Sequence, residues 1–243
     1  MSALADETSQ IGLRVANLDW RGISAQLEAG GVATTGPLLS AAECAALRSS
    51  YPRDEIFRSR VIMARHGFGK GEYKYFAYPL PDIVSTLRGA LWPPLAHIAN
   101  GWNGALGLEK RYPPDHQDYL AQCHEGGQLR PTPLMLKYGP GDYNCLHQDL
   151  YGEHVFPLQA VFLLSDPATD FEGGELVLTE QRPRMQSRVE VVKLQVGHAA
   201  IFAVHQRPVR GGKGIYRVNI RHGVSRVRSG ERYTLGLIFH DAQ

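Results

Sequence analysis

Along the chain the spacing of apolar residues changes character near Pro133. Before it, apolar positions recur at helical intervals. Ser40 with Glu43 three residues later forms a capping box, and Ala42, Ala45, Ala46 and Leu47 carry a helix toward Tyr51 and Pro52. Ile83, Val84, Leu87, Leu91, Leu95 and Ile98 predict a helix over 82–101, which Pro93-Pro94 should kink or divide in two. Asp115 to Gln122 reads as another short helix. Residues 1–35 are weakly patterned, and Gly30-Gly31 with Thr34-Thr35-Gly36-Pro37 should break any regular element there. Arg65 to Pro81 mixes glycine and aromatics with Arg and Lys, as in an exposed strand and loop.

After Pro133 the texture turns to short β runs: Leu134 to Tyr138, Gln159 to Leu164, Glu175 to Thr179, Val189 to Leu194, Ala199 to Val204, Tyr216 to Ile220 and Tyr233 to Phe239. That pattern predicts a sandwich, jelly roll or barrel, with the earlier helices buttressing one sheet. No repeat or linker divides the 243 residues, so 1–243 reads as one domain, with 1–130 mostly helical support and substrate rim and 131–243 the β core.

Composition adds exclusions. The longest uninterrupted apolar run is Ala199 to Val204, far short of the roughly 20 residues needed to cross a bilayer. The first residues carry neither a signal-peptide pattern nor an Arg-rich amphipathic stretch, which makes a cytoplasmic location the expectation. Cys44, Cys123 and Cys145 have no CxxC spacing and read as reduced thiols. The net charge of +2 conceals an asymmetry: Arg182 to Arg232 holds 12 Lys+Arg against Glu190 and Glu231, leaving −8 elsewhere. This suggests a basic surface or an anion site in the C-terminal half.

The candidate chemistry begins at His147-Gln148-Asp149, behind the turn Gly139-Pro140-Gly141-Asp142. Residues two apart in an extended segment face the same side, so an imidazole and a carboxylate share one cavity. Two histidines and one carboxylate form a facial triad that holds Fe(II) with positions open for a co-substrate and O2. A third ligand would come from His154, His198, His205, His222 or His240. His222 is preferred, because Arg232 follows ten residues later on the next strand and offers a planar fork for a carboxylate.

HxD, a distal His-Gly-Val and an arginine ten residues on, all in a β-rich half, resemble the signature of Fe(II)/2-oxoglutarate-dependent dioxygenases with the double-stranded β-helix fold. The resemblance implies His147, Asp149 and His222 as catalytic iron ligands and Arg232 as the residue holding the distal carboxylate of 2-oxoglutarate, with Tyr138 donating its hydroxyl there. Gly173-Gly174-Glu175-Leu176 matches a turn of the prolyl-hydroxylase-like branch. Four stretches (RHGFGKGEYKYFAYPLP, YGPGDYNCLHQDLYGEHVFPLQ, FEGGELVLTEQRPRMQSR and RHGVSRVRSGERYTLGLIFHDA) resemble a bacterial subfamily associated with oxidative demethylation of alkylated nucleic acid. AlkB-type enzymes carry a second arginine six residues after the first, where this chain has Ile238.

The implied cofactors are Fe(II), 2-oxoglutarate and O2, with ascorbate as a stimulant. The implied partner is single-stranded or damaged nucleic acid, with no membrane. The expected rim is Arg65, Phe68, Tyr73, Tyr75, Phe76 and Tyr78 with Lys70 and Lys74, where aromatics could stack a flipped base and cations meet phosphates. Arg182, Arg184 and Arg188 with Arg207, Arg210 and Lys213 form a second candidate surface. The alternatives are a peptidyl (prolyl-type) or small-molecule hydroxylase with the same site, or a cupin-like barrel that binds a metal or ligand without catalysis.

Overall fold

The computed structural model describes residues 10–212 and 214–243. The first nine residues, on which the reading of the N-terminus partly rests, and Lys213 lie outside the described residues. The architecture is mainly β, with two antiparallel sheets facing each other as a jelly roll and helices packed against the larger one.

The larger sheet has seven strands. In spatial order they are β1 (Val32–Pro37), β11 (His198–Ala203), β7 (Leu158–Leu163), β15 (Arg232–Ile238), β5 (Leu134–Tyr138), β4 (Glu72–Phe76) and β2 (Phe57–Ile62). The smaller sheet runs β10 (Arg188–Val192), β9 (Leu176–Gln181), β13 (Gly214–Val224), β6 (Tyr143–His147) and β3 (Gly69–Lys70), with β12 (Gln206–Gly211) also on β13. A two-stranded ribbon joins β8 (Phe171–Gly173) to β14 (Val227–Gly230). Each of the seven runs expected after Pro133 is a strand, matched at both ends for β5, extended for β13 and shifted by a residue or two for the others. The first 130 residues contribute more than helices, because β1, β2 and β4 extend the larger sheet at both ends.

Between Trp20 and Gly30 the chain forms helix α1, capped by the Asp19 carboxylate accepting from the Gly22 N–H at 3.0 Å. The glycine pair expected to break regular structure here terminates it instead. Gly31 adopts φ 76, a left-handed conformation that glycine enters without steric cost, and its N–H closes on Leu27 O at 2.8 Å. The chain then enters β1 directly. Helix α2 (Ala41–Ser50) starts with the expected capping box between Ser40 and Glu43.

Helix α3 (Asp82–Ala105) runs continuously through Pro93 and Pro94, so of the two expected outcomes, a kink or a division, the helix is not divided. Leu91, Trp92, Leu95 and Ala96 on both sides of the prolines are buried in one apolar cluster, so packing holds the segment helical despite two missing N–H donors. Helix α4 (His116–Glu125) is capped by Asp115. That cluster extends from Ile11 through the α3 stripe Val84, Leu87, Leu91, Leu95, Ile98 and Trp102 to Phe239, joining helices and larger sheet. All three cysteines are free thiols, and among the described residues no helix is long and apolar enough to cross a membrane.

A Cβ added at Gly31 would sit 2.9 Å from Arg207 Cδ as well as in a strained backbone region. Gly31→Ala is expected to lower unfolding free energy by at least about 1–2 kcal/mol, measured by urea denaturation.

Candidate metal centre and anion pocket

Strand β6 ends at His147 and lies antiparallel to β13, with His147 directly paired to His222. The register slips between His222 and Val224, and Gly223 occupies the irregularity. A Cβ there would lie 2.6 Å from Asn144 O, so only glycine lets β13 approach β6 this closely. Asp149 follows two residues after His147. The ligand atoms of His147, Asp149 and His222 all lie within 4.8 Å of one another. No other such cluster of three or more occurs among the described residues.

The geometry within the cluster is convergent. His147 Nε2 is 3.6 Å from Asp149 Oδ1, and His222 Nε2 is 3.3 Å from Asp149 Oδ2. The imidazole centroids are 4.2 Å apart. His147 Nδ1 lies 2.8 Å from Cys145 O, an interaction that fixes the ring and turns Nε2 toward the carboxylate. Burial pushes the Asp149 carboxyl up, but His222, His147 and the Tyr151 hydroxyl outweigh it and hold it well below the usual carboxylate range. Burial, then the neighbouring His222, pulls His147 down. A buried ionised carboxylate beside two imidazoles is a donor set suited to a divalent metal.

The other histidines are engaged elsewhere or stand apart from the cluster. His198 Nδ1 lies 2.9 Å from Thr35 O, and His240 Nδ1 accepts from the Phe156 N–H at 3.2 Å. Burial holds the His240 imidazole down to about 3, so it stays neutral. His154 and His205 are outside the three-residue group.

The cluster opens into a cavity of about 370 Å³ whose lining includes Tyr138 and Arg232. These two are cross-strand partners on β5 and β15, and the Arg232 guanidinium carbon stands 5.5 Å from the Tyr138 ring centroid. Arg232 is 2% exposed, yet its Nε and Nη1 have no hydrogen-bond partner, and the fully buried Tyr138 hydroxyl has none either. Burial pulls Arg232 down to about 10, which leaves it charged at neutral pH, and pushes the Tyr138 phenol up. Gly174, at φ 65, makes room for this arginine: a Cβ would lie 2.8 Å from Arg232 Cδ. Unsatisfied buried donors are costly, and an anion bound here would satisfy them.

The expected rim is only partly at the cavity. Phe68, Tyr73 and Tyr75 line it, whereas Arg65, Arg182 and Arg184 do not. Lys74 is buried and tied to Asp54 at 2.7 Å, so it cannot meet a phosphate. Tyr78 gives its hydroxyl to Asp241 at 2.8 Å, and Phe76 is core. Arg207 is buried and donates to Glu180, to Glu28 O at 2.6 Å and to Ala29 O at 3.1 Å, so it is a structural ion pair, not a surface cation. Arg182 donates to the same Glu180 carboxylate at 2.8 Å.

Sequence reading missed Gln159, whose amide nitrogen lies 3.1 Å from His222 Nε2, and Tyr151, whose hydroxyl donates to Asp149. The alternation 147, 149, 151 was the available signal for Tyr151; nothing local marks Gln159.

Comparison with known proteins agrees with this geometry. A family model described as "Oxygenase, catalysing oxidative methylation of damaged DNA" matches residues 71–242. Uncharacterized proteins from two strains of Mycobacterium tuberculosis are 54% identical over 167 residues, covering 69% of this chain and 72% of theirs. Among solved structures, an oxidoreductase of the 2OG-Fe(II) oxygenase family from Burkholderia pseudomallei superposes with TM-score 0.55 at 15% identity, covering 92% of each chain. A Pseudomonas putida prolyl-4-hydroxylase gives 0.52 at 15%, covering 89% of this chain and 96% of its own. A prolyl hydroxylase from Trichoplax adhaerens gives 0.54 at 13%, covering 97% and 91%. These likenesses show the fold.

Replacing Arg232 by an uncharged residue of similar reach removes the uncompensated buried cation. Arg232→Met is expected to raise the thermal unfolding midpoint of the protein without added anion, by a free energy on the order of 1–3 kcal/mol. Added 2-oxoglutarate is expected to raise the same midpoint in the wild type and not in this variant.

Proposed function

The chain belongs to the oxygenase family whose model spans residues 71–242, and from that premise we propose that it is an Fe(II)- and 2-oxoglutarate-dependent dioxygenase that demethylates alkylated nucleic acid bases. His147, Asp149 and His222 would hold the iron. Arg232 and Tyr138 would hold the distal carboxylate of the oxo acid. The observation that carries this reading is the buried guanidinium and phenol with unpartnered polar atoms, on the same cavity as the only three-ligand cluster among the described residues. A non-catalytic barrel has no need of that second feature. The apolar cluster joining helices to the sheet supports treating 1–243 as one catalytic unit.

With Fe(II), 2-oxoglutarate and O2 bound, the centre supplies C–H hydroxylation coupled to decarboxylation of the oxo acid to succinate and CO2. The chain's own residues bind, orient and exclude water. Arg232 offers a charge-assisted donor pair and Tyr138 a further O–H, which together set the direction from which a dicarboxylate enters. Leu176, Phe202, Val161 and Leu237 wall the cavity with apolar surface that keeps water from the reacting carbon. On an N-methyl carbon the hydroxylated product is a hemiaminal, which releases formaldehyde and restores the base.

The mouth supports a flat, unpaired base as substrate. Phe68 and Leu146 line the cavity yet are 48% and 44% exposed, and Phe68 stacks on His66 with centroids 5.3 Å apart. Such a surface stacks a base that has left its helix. One observation favours a prolyl-type or small-molecule hydroxylase instead: Ile238 lines the cavity at the position where AlkB-type enzymes have a second arginine.

The deciding experiment is mass spectrometry of N-methylated single-stranded oligonucleotides incubated with protein, Fe(II), ascorbate and 2-oxoglutarate. Methyl loss is expected with wild type and not with Asp149→Ala. Intact oligonucleotide with succinate release would move the substrate to peptides or metabolites; succinate release undiminished in Asp149→Ala would overturn the ligand assignment. Phe68→Ala is expected to raise the oligonucleotide KM about tenfold, from the loss of one stacking contact worth about 1–3 kcal/mol.

A further inference from the structure

The carboxylate of Asp149 has two oxygens in unequal surroundings. Oδ1 accepts the Tyr151 hydroxyl at 2.8 Å and lies 3.6 Å from His147 Nε2, whereas Oδ2 faces His222 Nε2 at 3.3 Å. Tyr151 Oη in turn accepts the Tyr75 hydroxyl at 3.1 Å, so its only O–H is committed to Asp149. Each donor in such a chain polarises the next, which strengthens the last bond onto the carboxylate.

The backbone under Tyr151 is held as firmly. Gln128 has no exposed surface, and the two N–H groups of its side-chain amide are shared among Tyr151 O at 2.9 Å, His154 O at 3.2 Å and Asp241 O. Its carbonyl accepts the His154 N–H at 2.7 Å. Gly152, at φ 85, leaves the space this amide fills, since a Cβ there would lie 2.5 Å from Gln128 Cδ. The loop behind Asp149 is thus pinned to the C-terminal segment, and the tyrosine ring is set in one place.

We propose that Tyr151 is a positioning residue that occupies Asp149 Oδ1 and so presents the carboxylate to the metal through Oδ2 alone. The inference rests on the iron-site reading above. Its consequence is the number of places left open. An octahedral ion held by two imidazoles and one carboxylate oxygen keeps three exchangeable positions, enough for a bidentate oxo acid and O2. A bidentate carboxylate would take one of them and leave no place for O2 beside the oxo acid. Tyr151 touches neither substrate nor oxo acid in this argument; it acts through Asp149.

The test counts metal-bound water directly, without turnover. Full-length protein is titrated with Mn(II), and water-proton relaxation is read per bound ion, with Asp149→Ala giving the background. Tyr151→Phe is expected to lower the relaxation enhancement by about one third, because the freed Oδ1 takes one of about three open positions. An enhancement equal to wild type, in a variant whose circular dichroism and unfolding midpoint show it folded, overturns the proposal. If Tyr151→Phe does not fold, Tyr75→Phe carries the question: it removes the hydroxyl that polarises Tyr151, and a smaller drop in the same direction is expected, whereas no drop overturns the proposal. Wild-type protein that binds Mn(II) no better than Asp149→Ala would instead overturn the metal-site reading on which the proposal stands.

Discussion

The pairing of β13 with β6 is the constraint on which the rest of the site depends. It sets His222 across from His147, though the two lie far apart in sequence, and it works only because Gly223 removes a side chain from a backbone contact that would otherwise clash. Once that register is set, the two-residue repeat of an extended strand does the rest. Val218, Ile220 and His222 turn inward, while Arg217 and Arg221 turn out. A one-residue slip would exchange the histidine for an arginine inside the cavity.

The cost of the site is carried by groups that folding leaves unsatisfied. Arg232, Tyr138 and the Nδ1 of His222 are buried with open hydrogen-bonding capacity. Each is destabilising in isolation. Compensation comes from the saturated polar network at the other end of the chain, where Asp241 accepts from Arg88 at 2.8 Å and Tyr78 at 2.8 Å and lies 2.9 Å from His124 Nε2. That network holds the C-terminal segment, and through Gln128 it reaches the loop behind Asp149.

Much of this is legible in the sequence. HxD, His222 and Arg232 could be placed because strand periodicity and a fixed spacing determine which side chains share a face. Tyr138 and Arg232 do prove to be cross-strand neighbours. What escaped the sequence were elements decided by tertiary contacts. The strand expected between Arg65 and Pro81 is present as β4, but it is not exposed: Lys74 is buried because Asp54 and Tyr51 O receive its ammonium. Likewise Gly31 looked like a breaker because sequence alone does not distinguish a glycine that interrupts a helix from one that ends it.

The basic excess of the C-terminal half therefore divides into parts with different meanings. Around Glu180, Arg207 and Arg182 donate hydrogen bonds and Arg188 lies 3.9 Å away, so three of the cations serve one buried carboxylate. Arg232 faces inward to the cavity. Arg217 and Arg221 lie on the outer side of the strand whose inner side carries His222. Strand alternation forces that arrangement, since a residue next to an inward ligand must face out. Net charge thus overstates the field at the cavity mouth, which is apolar at Phe68 and Leu146. On the proposed reading, an anionic polymer would be gathered by the outer face, while what enters the cavity would be chosen by shape and stacking, because the mouth has aromatic and aliphatic surface to offer and the buried cation Arg232 would be taken by the oxo acid.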